Sequence, residues 1–400
     1  MAAALAYRDF RLLWLGALIS SIGTWMQKVA QAWLIVTLTG ASSAFFLGLD
    51  SFVGELPILL LTLIGGVVAD RYNRRRLMLM SQCIQMAAAF ILAALVFFGV
   101  ARIWHILVLS AITGFAQAFG GPAYQSLIPL LVAKDHLPNA IALNSIQFNL
   151  ARVIGPIIAG ATLAAFGMVA CFGLNGLSFL FVIAAILALH VVHAPAPSTT
   201  SIKEQLKSGL QYVRSQPQLI TLTIIGFITA FLGFPVITFL PVIVKDVFNQ
   251  DVGLYTRLMT FAGAGAVLGA LVVAWIGKHR HMGLMMLGLQ GIFGVFVIAV
   301  SLSRNIALTQ ALLFIAWFLL VMCMSLTTSL VQLLAPAELR GRVVSIYMVA
   351  FRGGSPLGGL VAGWLVTQLG SAPTVLAVNG ALLILIATIA LSRDHGLREI

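Results

Sequence analysis

The segment RVIGP at residues 152–156 recurs two hundred residues later as RGGSP at residues 352–356, and this repeat decides the fold. Each copy lies in a long apolar run that follows a charged loop. Each is followed by a further glycine, Gly160 in the first copy and Gly363 in the second. Because the offset is half of the 400 residues, the sequence predicts two related structural halves.

The composition indicates that these halves are solvated mostly by lipid. Hydrophobic residues make up 61% of the chain, charged residues only 8%, and the mean hydropathy is +1.07. Soluble domains are roughly 45–50% apolar and about 25% charged, so this chain lacks the polar residues to cover a core in water. A soluble enzyme, a disordered chain and a fibrous protein are therefore excluded. The net charge of +12 is attributed to Lys and Arg retained in cytoplasmic loops, not to a nucleic-acid partner.

Apolar runs of about 20 residues, the length that spans a bilayer, recur along the whole chain. About twelve are found, at residues 10–38, 45–69, 77–99, 103–131, 138–166, 168–192, 218–246, 254–276, 282–302, 306–334, 340–369 and 372–392. They do not alternate in the way that the strands of a transmembrane β-barrel require. We predict an all-α membrane protein with about 12 transmembrane helices in two pseudo-symmetric six-helix halves.

One long polar stretch separates the halves. Residues 193–217 begin with a Pro/Ser/Thr-rich segment, and apolar residues from Ile202 to Val213 then recur at helical spacing. We predict a cytoplasmic linker with an amphipathic helix on the membrane surface. It joins an N-terminal bundle at 1–192 to a C-terminal bundle at 218–400.

The distribution of positive charge predicts the orientation. With both termini in the cytoplasm, sixteen Lys and Arg fall on cytoplasmic loops and ends, and four fall outside. This bias predicts a multi-pass protein of the inner (plasma) membrane. The first apolar run is too long for a cleavable signal, and Lys28 interrupts it.

The loop between the second and third runs carries the most specific motif. GVVADRYNRRR at residues 66–76 resembles the signature G-x-x-x-D-R-x-G-R-R of the major facilitator superfamily, with Asn73 in place of the second glycine. The resemblance implies a secondary transporter that works by alternating access. Asp70 accepts hydrogen bonds well at a helix terminus, so we interpret this loop as a gating latch. The alternative, positive-inside retention alone, explains the arginines but not Asp70. The latch residues are Gly66, Asp70, Arg71, Arg74 and Arg75.

Further stretches resemble one branch of that superfamily, the enterobactin-exporter-like and macrolide-efflux-like proteins. They are GTWMQ at 23–27, LNS at 143–145, ARVIGP at 151–156, CFGLN at 171–175 and RGRVVS at 340–345. The chain departs from the pattern at Tyr124, where this branch often carries Arg, and at Ser110, near the place of the drug-exporter Arg of helix four. GPIIAG at 155–160 matches the core of the antiporter signature G-P-x-x-G-G. The resemblance implies export, and it implies hinge or helix-packing roles for Gly155, Pro156, Gly160, Arg352 and Pro356.

Ionisable residues inside predicted spans are the sharpest functional signal, because a charge at the bilayer centre costs at least about 2.5–3.5 kcal/mol. Five occur: Lys28, Asp50, Glu55, Arg152 and Arg352. Lys28 and Glu55 each lie ten residues from the loop that joins their helices, which is about 15 Å in depth. We expect them to pair, with Glu55 as the proton-coupling carboxylate. The alternative is a static buried ion pair.

The other three charges have weaker interpretations. Asp50 lies nearer the outer surface, where it either takes part in coupling or is solvated at a cavity mouth. Arg152 attracts an anionic substrate, pairs with Glu55, or bonds backbone carbonyls between helices. Arg352 occupies the matching position of the second half and favours the structural role.

Aromatic residues in several spans are candidates for the wall of a substrate cavity, although packing or lipid contact is open for each of them. The candidates are Trp25, Tyr124, Phe148, Phe231, Trp317 and Tyr347.

Several kinds of chemistry find no support. The sequence has no GxxxxGK[ST] phosphate loop, no HExxH and no GxSxG. Its three cysteines are isolated in apolar segments, so we expect no metal site and no cofactor. We therefore predict a non-enzymatic transporter, with the bilayer, an amphipathic small molecule (drug- or siderophore-like) and protons as its partners. The alternatives are an uptake symporter or facilitator, a membrane-embedded lipid enzyme, and a non-transporting sensor.

Overall fold

Helices make up 91% of the structure, and the described residues contain no strand. The computed structural model describes residues 3–190, 202–277, 281–336 and 338–393. Within these residues the α-helices are α1 (Arg8–Thr39), α2 (Ser43–Arg71), α3 (Arg74–Phe97), α4 (Ile103–Leu127), α5 (Leu137–Leu187), α6 (Ile202–Ser215), α7 (Pro217–Gly233), α8 (Pro235–Thr238), α9 (Leu240–Asp246), α10 (Val252–Ile276), α11 (Met282–Leu302), α12 (Ile306–Leu334), α13 (Arg340–Leu369) and α14 (Ala372–Arg393).

The helices confirm the predicted fold class. In the part of the chain that is described, nine helical stretches are long and apolar enough to cross a membrane. Two of them, Arg8–Thr62 and Lys134–Leu187, each contain two predicted spans, and α13 adds another long helix. Large side chains such as Trp275 and Phe166 are exposed, as expected of a surface that faces lipid. An all-α membrane protein of about twelve spans accounts for all of these features.

The fifth and sixth predicted spans are two helices that meet at a kink within the range given for α5. Only Gly167 departs from helical geometry there, with φ +74° and ψ −174°. This region of backbone conformation is readily available only to glycine. One residue therefore turns the chain from the fifth span into the sixth without a loop.

The predicted span at 218–246 is not one helix. It is divided into α7, α8 and α9, and the two short helices begin at Pro235 and at Leu240, which precedes Pro241. A proline lacks the N–H that the preceding turn requires, and its ring clashes with the carbonyl four residues earlier. The hydropathy pattern detects the span but is insensitive to these breaks.

The chain divides into two compact units. The first comprises Met1–Gly40 and Asp50–Ser198, and the second comprises Ala41–Leu49 and Thr199–Ile400. In the first unit α1 packs on α5, and α3 packs on α4 and α5. In the second unit α7 packs on α13, α10 on α12, and α11 on both α12 and α14. The first and fifth spans therefore pack together within each unit.

The polar stretch between the halves contains the expected helix. Residues 191–201, which include much of the predicted linker, lie outside the described residues. The helix α6 packs against α13 of the second unit, where Arg342 donates to the Ser208 hydroxyl over 2.7 Å. Gly209 lies against the Arg342 side chain, with room for no more than a tight Cβ contact of 3.0 Å. The helix is thus attached to the N-terminal end of α13.

Candidate substrate and proton site

Asp50 in α2 lies in a hydrogen-bonded cluster built by three helices of the first unit. Ser110 Oγ, on α4, donates to Asp50 Oδ1 over 2.6 Å. Gln31 Nε2, on α1, lies 2.9 Å and 3.1 Å from the two carboxylate oxygens, and 3.0 Å from Ser110 Oγ. We call Gln31, Asp50 and Ser110 the Asp50 cluster. These donors offset part of the cost of removing a carboxylate from water.

Lys28 lies on α1, one turn before Gln31, and so is close to the Asp50 cluster. It is near enough to Asp50 for the two charges to attract each other. The cluster and Lys28 together place a carboxylate, a cation and two neutral polar groups inside membrane-spanning helices. Such groups mark an ion or substrate path in membrane proteins by default.

The expected pair of Lys28 and Glu55 is not formed. Among the described residues, none makes a hydrogen bond or an ion pair with the half-buried Glu55 side chain. Glu55 follows Asp50 by five residues, which turns it about 140° around the axis of α2. Counting residues gives the depth of a side chain along its helix but not the face on which it lies. The proton-coupling role predicted for Glu55 is untested, and Asp50, the other carboxylate of α2 predicted for coupling, is the one that has partners.

Trp25 is the centre of a second group in the first unit. Lys28 Nζ lies 5.1 Å and Arg152 Cζ lies 5.6 Å from the centroid of the Trp25 ring. Phe148 meets the same ring edge-on, with the centroids 6.2 Å apart. We call Trp25, Lys28, Phe148 and Arg152 the Trp25 cluster. Both cations lie within the distance at which the ring quadrupole attracts a positive charge.

The repeated glycine and proline segments lie where helices cross closely. A Cβ on Gly155 would collide with the Cβ of Trp25, and Pro156 is buried beside it in α5. In the second unit a Cβ on Gly354 would meet the Phe227 carbonyl oxygen at 2.5 Å, and one on Gly358 would collide with the Phe231 carbonyl oxygen. These contacts let the fifth span of each unit approach the first.

The other repeat residues show fewer contacts. Gly160 is half-buried in α5, and Pro356 is buried in α13. Arg352 is exposed, and among the described residues it has neither a hydrogen bond nor an ion pair. The backbone hydrogen bonds proposed from sequence for Arg152 and Arg352 are therefore not formed in the described part of the chain.

The predicted latch is described only in part. The side chains of Asp70 and Arg71 lie outside the described residues, and a Cβ on Gly66 would meet open space. Arg74 donates to the Ser126 carbonyl over 3.2 Å, and Arg75 donates to the Leu187 carbonyl over 2.5 Å.

Those two carbonyls lie at the C-terminal ends of α4 and α5, where a cation is favourable. Both arginines thus bind within their own unit. The gating role of the loop stays a prediction.

Asn73, which stands where the loop signature has glycine, has a structural role. It is the N-cap of α3, and its side chain accepts from the backbone N–H of Arg76 over 3.2 Å. We expect Asn73→Ala to lower the free energy of unfolding by about 1 kcal/mol and Asn73→Gly by only a few tenths. Asp at this position keeps the cap and serves as the control. Equilibrium unfolding in mixed micelles measures the three variants, and equal losses for Ala and Gly would contradict the capping role.

Four of the aromatic candidates lie away from the Trp25 cluster. Tyr124 donates to Asn144 Oδ1 over 2.6 Å and so joins α4 to α5. Phe231 stacks on Phe227 in α7, with the centroids 5.7 Å apart. Trp317 and Tyr347 are each 1% exposed and pack in the core of the second unit. The sequence cannot separate such core positions from cavity walls, because both lie on apolar spans.

No group of three or more His, Cys, Asp or Glu residues in the described ranges is arranged to hold a metal ion.

A profile of the transmembrane secretion effectors, a family of major facilitator transporters, matches residues 1–399. The chain belongs to the transmembrane secretion effector family.

Named relatives of this secretion effector share its length. It is 27% identical over 347 residues to the staphyloferrin A transporter of Staphylococcus aureus, with 85% of each chain covered. It is 28% identical to the multidrug efflux pump Tap of Mycolicibacterium fortuitum, with 94% of this chain and 93% of that one covered. It is 23% identical to macrolide efflux protein A of Streptococcus pyogenes, with 95% and 94% covered. The chain is a multi-pass membrane transporter of the efflux type.

Solved structures share the fold of this secretion effector. A bacterial homolog of the human lysosomal transporter Spinster, inward-facing and occupied, superposes with a TM-score of 0.76 at 15% identity, covering 98% of both chains. The nucleoside transporter NupG superposes with a TM-score of 0.73 at 15% identity, covering 96% of this chain and 98% of that one. At this identity the likeness shows the major facilitator fold alone.

Two buried asparagines of the secretion effector were missed by sequence reasoning. Asn175 Nδ2, in α5, donates to Gln27 Oε1 of α1 over 2.6 Å. Asn379 Nδ2, in α14, donates to the Leu232 carbonyl of α7 over 3.2 Å. In each unit an asparagine of the sixth span therefore holds the first span.

A sequence signal for these asparagines exists. Both stand in an Asn-Gly pair, at 175–176 and at 379–380, and the pairs are 204 residues apart. The Arg-containing segments are 200 residues apart, so a search for further repeats at that same offset does not align the two Asn-Gly pairs. The second unit therefore has four more residues than the first between the repeated arginine and the asparagine.

Proposed function

We propose that the protein is a secondary active exporter that uses proton antiport and alternating access to move an amphipathic small molecule out of the cell. The named relatives, which are efflux or siderophore transporters, support the direction and the broad class of substrate. The observation that carries the ion coupling is the Asp50 cluster, a carboxylate held by donors from two other helices within the membrane.

Protonation of Asp50 changes what the cluster can hold. An ionised carboxylate accepts from both Ser110 and Gln31 and attracts Lys28. A protonated one loses its charge, and one of its oxygens becomes a donor. The links from α2 to α1 and to α4 then weaken or rearrange. A proton that binds Asp50 therefore biases the packing of three helices, which is the linkage that an antiporter needs.

The distribution of charge supports the orientation. We propose that the protein lies in the inner membrane with both termini in the cytoplasm, since Lys and Arg are concentrated on the loops that this orientation places inside. A fluorescent protein fused to the C-terminus is expected to fluoresce, and a periplasmic phosphatase fused there is expected to be inactive. The reverse pattern would contradict the orientation.

Accumulation in cells tests the function. A macrolide, a cationic dye and a catechol siderophore are each supplied to cells that express the wild-type protein or carry an empty vector, with and without a protonophore. We expect lower accumulation of at least one compound in the expressing cells, and we expect the protonophore to abolish that difference.

Three outcomes would overturn parts of the proposal. Higher accumulation in expressing cells would indicate an uptake symporter or a facilitator. Export that survives the protonophore but requires sodium would replace the proton as the coupling ion. If no compound separates the two cell lines, export of drug- or siderophore-like molecules is contradicted, and native metabolites should be screened for uptake.

A further inference from the structure

The charges of the Trp25 cluster are not balanced. Neither Lys28 nor Arg152 makes an ion pair or a hydrogen bond with any described residue. Both contact the Trp25 ring, and Lys28 in addition attracts Asp50. Cations within membrane-spanning helices are costly unless an anion or water stabilises them. The first unit therefore places two cations beside one ring and supplies only one nearby carboxylate.

Asp50 does not neutralise both of these cations. Its two oxygens already accept from Ser110 and Gln31, and among the described residues it forms an ion pair with neither Lys28 nor Arg152. Glu55, the other acidic residue of α2 inside the span, lies about 140° away around the helix. The acidic side chains described nearby therefore do not neutralise both cations of the Trp25 cluster.

The Trp25 cluster is also open to a ligand. Lys28 is exposed, Trp25 is half-buried, and 53% of Phe148 is exposed. A lysine exposed midway along a spanning helix faces water or a ligand rather than hydrocarbon. Next to the two cations lies apolar ring surface from Trp25 and Phe148. The cluster thus presents charge and aromatic surface side by side.

We propose that Lys28 and Arg152 form an anion subsite that binds the carboxylate of an amphipathic, aromatic substrate, while Trp25 and Phe148 contact its apolar part. A carboxylate complements the unneutralised positive charge of the cluster, and a guanidinium binds a carboxylate in a bidentate manner. The inference rests on the proposed function, since it names the substrate class of the exporter. The subsite is expected to bind carboxylates in preference to cationic compounds, which are also common substrates of efflux pumps.

Ligand binding to the purified full-length protein in detergent micelles tests the subsite. The probes are naphthalene-2-carboxylate, the neutral naphthalene-2-carboxamide and naphthalen-2-ylmethylammonium, which share one ring system. Each is titrated while the thermal unfolding midpoint is recorded. We expect the carboxylate alone to raise the midpoint of the wild-type protein. We expect Lys28→Gln and Arg152→Gln each to weaken carboxylate binding about tenfold or more.

Control variants separate binding from folding. Lys28→Arg and Arg152→Lys keep the charge and are expected to keep the preference for the carboxylate. Arg257→Gln removes a cation whose side chain bonds the Gly253 carbonyl of its own helix, and it is expected to bind like the wild type. Equal binding of carboxylate and carboxamide by the wild type would overturn the subsite. So would an unchanged preference in both Gln variants.

The binding assay needs no gradient and no transport. A protein that prefers the carboxylate but shows no protonophore-sensitive export would retain the subsite and contradict the antiport function. A protein that shows protonophore-sensitive export but does not distinguish the carboxylate from the carboxamide would retain the antiport function and contradict the subsite. The two failures are therefore distinguishable.

Discussion

Asp50→Asn is expected to abolish proton-driven transport, whereas Glu55→Gln is expected to retain it. Asn is nearly isosteric with Asp and can still bond Gln31 and Ser110, but it cannot take up and release a proton. Glu55 has no hydrogen-bond or ion-pair partner among the described residues, so its amide variant breaks no such contact there. These two substitutions remove the same chemical group from one helix, five residues apart, so each is the matched control of the other.

Everted membrane vesicles measure the difference. A pH gradient is imposed, and accumulation of the compound that the wild type exports is followed in each variant. We expect Asp50→Asn to fall to the level of vesicles without the transporter. Exchange of labelled for unlabelled substrate without a gradient should survive in Asp50→Asn, because it needs no net proton movement. Loss of proton-driven transport in Glu55→Gln, with Asp50→Asn active, would transfer the role to Glu55.

Gly358→Val is expected to destabilise the second unit severely. A Cβ at this position would collide with the backbone carbonyl oxygen of Phe231, on the helix α7 that α13 packs against. Backbone cannot move aside as a flexible side chain can, so the two helices have to separate. Overpacking typically costs about 1–3 kcal/mol, and a backbone clash between helices belongs at or above the upper end of that range.

Gly288→Val is the matched control for this prediction. Gly288 lies in α11 of the same unit, and a Cβ there would meet nothing within 4 Å. Size-exclusion profiles and thermal unfolding midpoints of the two purified variants make the comparison. Gly358→Val should aggregate or unfold at a markedly lower temperature than Gly288→Val. Similar midpoints would show that α7 and α13 can separate without loss of stability.

The sequence predicts the spans well because the bilayer imposes their length and their apolar character. Gly167 illustrates the limit, since the two runs that hydropathy separates at this residue are two helices joined by one kinked residue, and hydropathy does not show that the loop is absent. Pro235 and Pro241 illustrate the opposite case, because one apolar run contains three helices. Hydropathy reports which residues avoid water. Backbone conformation within a run depends on individual Gly and Pro residues.

The site is predicted less completely than the fold. The five charges inside spans are identifiable from sequence, because charge in a span is rare. Their partners are not, since Asp50 is joined to Ser110 and Gln31 by faces that only helix packing determines. Lys28 and Arg152 likewise meet at Trp25 across α1 and α5, which are far apart in the chain. Neutral polar residues such as Gln31 carry no distinguishing sequence signal.

The two buried asparagines constrain the sequence of their partner positions to different degrees. Asn175 bonds the Gln27 side chain, whereas Asn379 bonds the backbone at Leu232. A side-chain partner can be lost by one mutation, but a backbone carbonyl is present whatever residue stands there. Among natural variants, positions 27 and 175 are therefore expected to change together, while position 232, a buried apolar site, is expected to vary independently of position 379. The two units therefore use the same residue type in the sixth span but place the constraint on partners of different kinds.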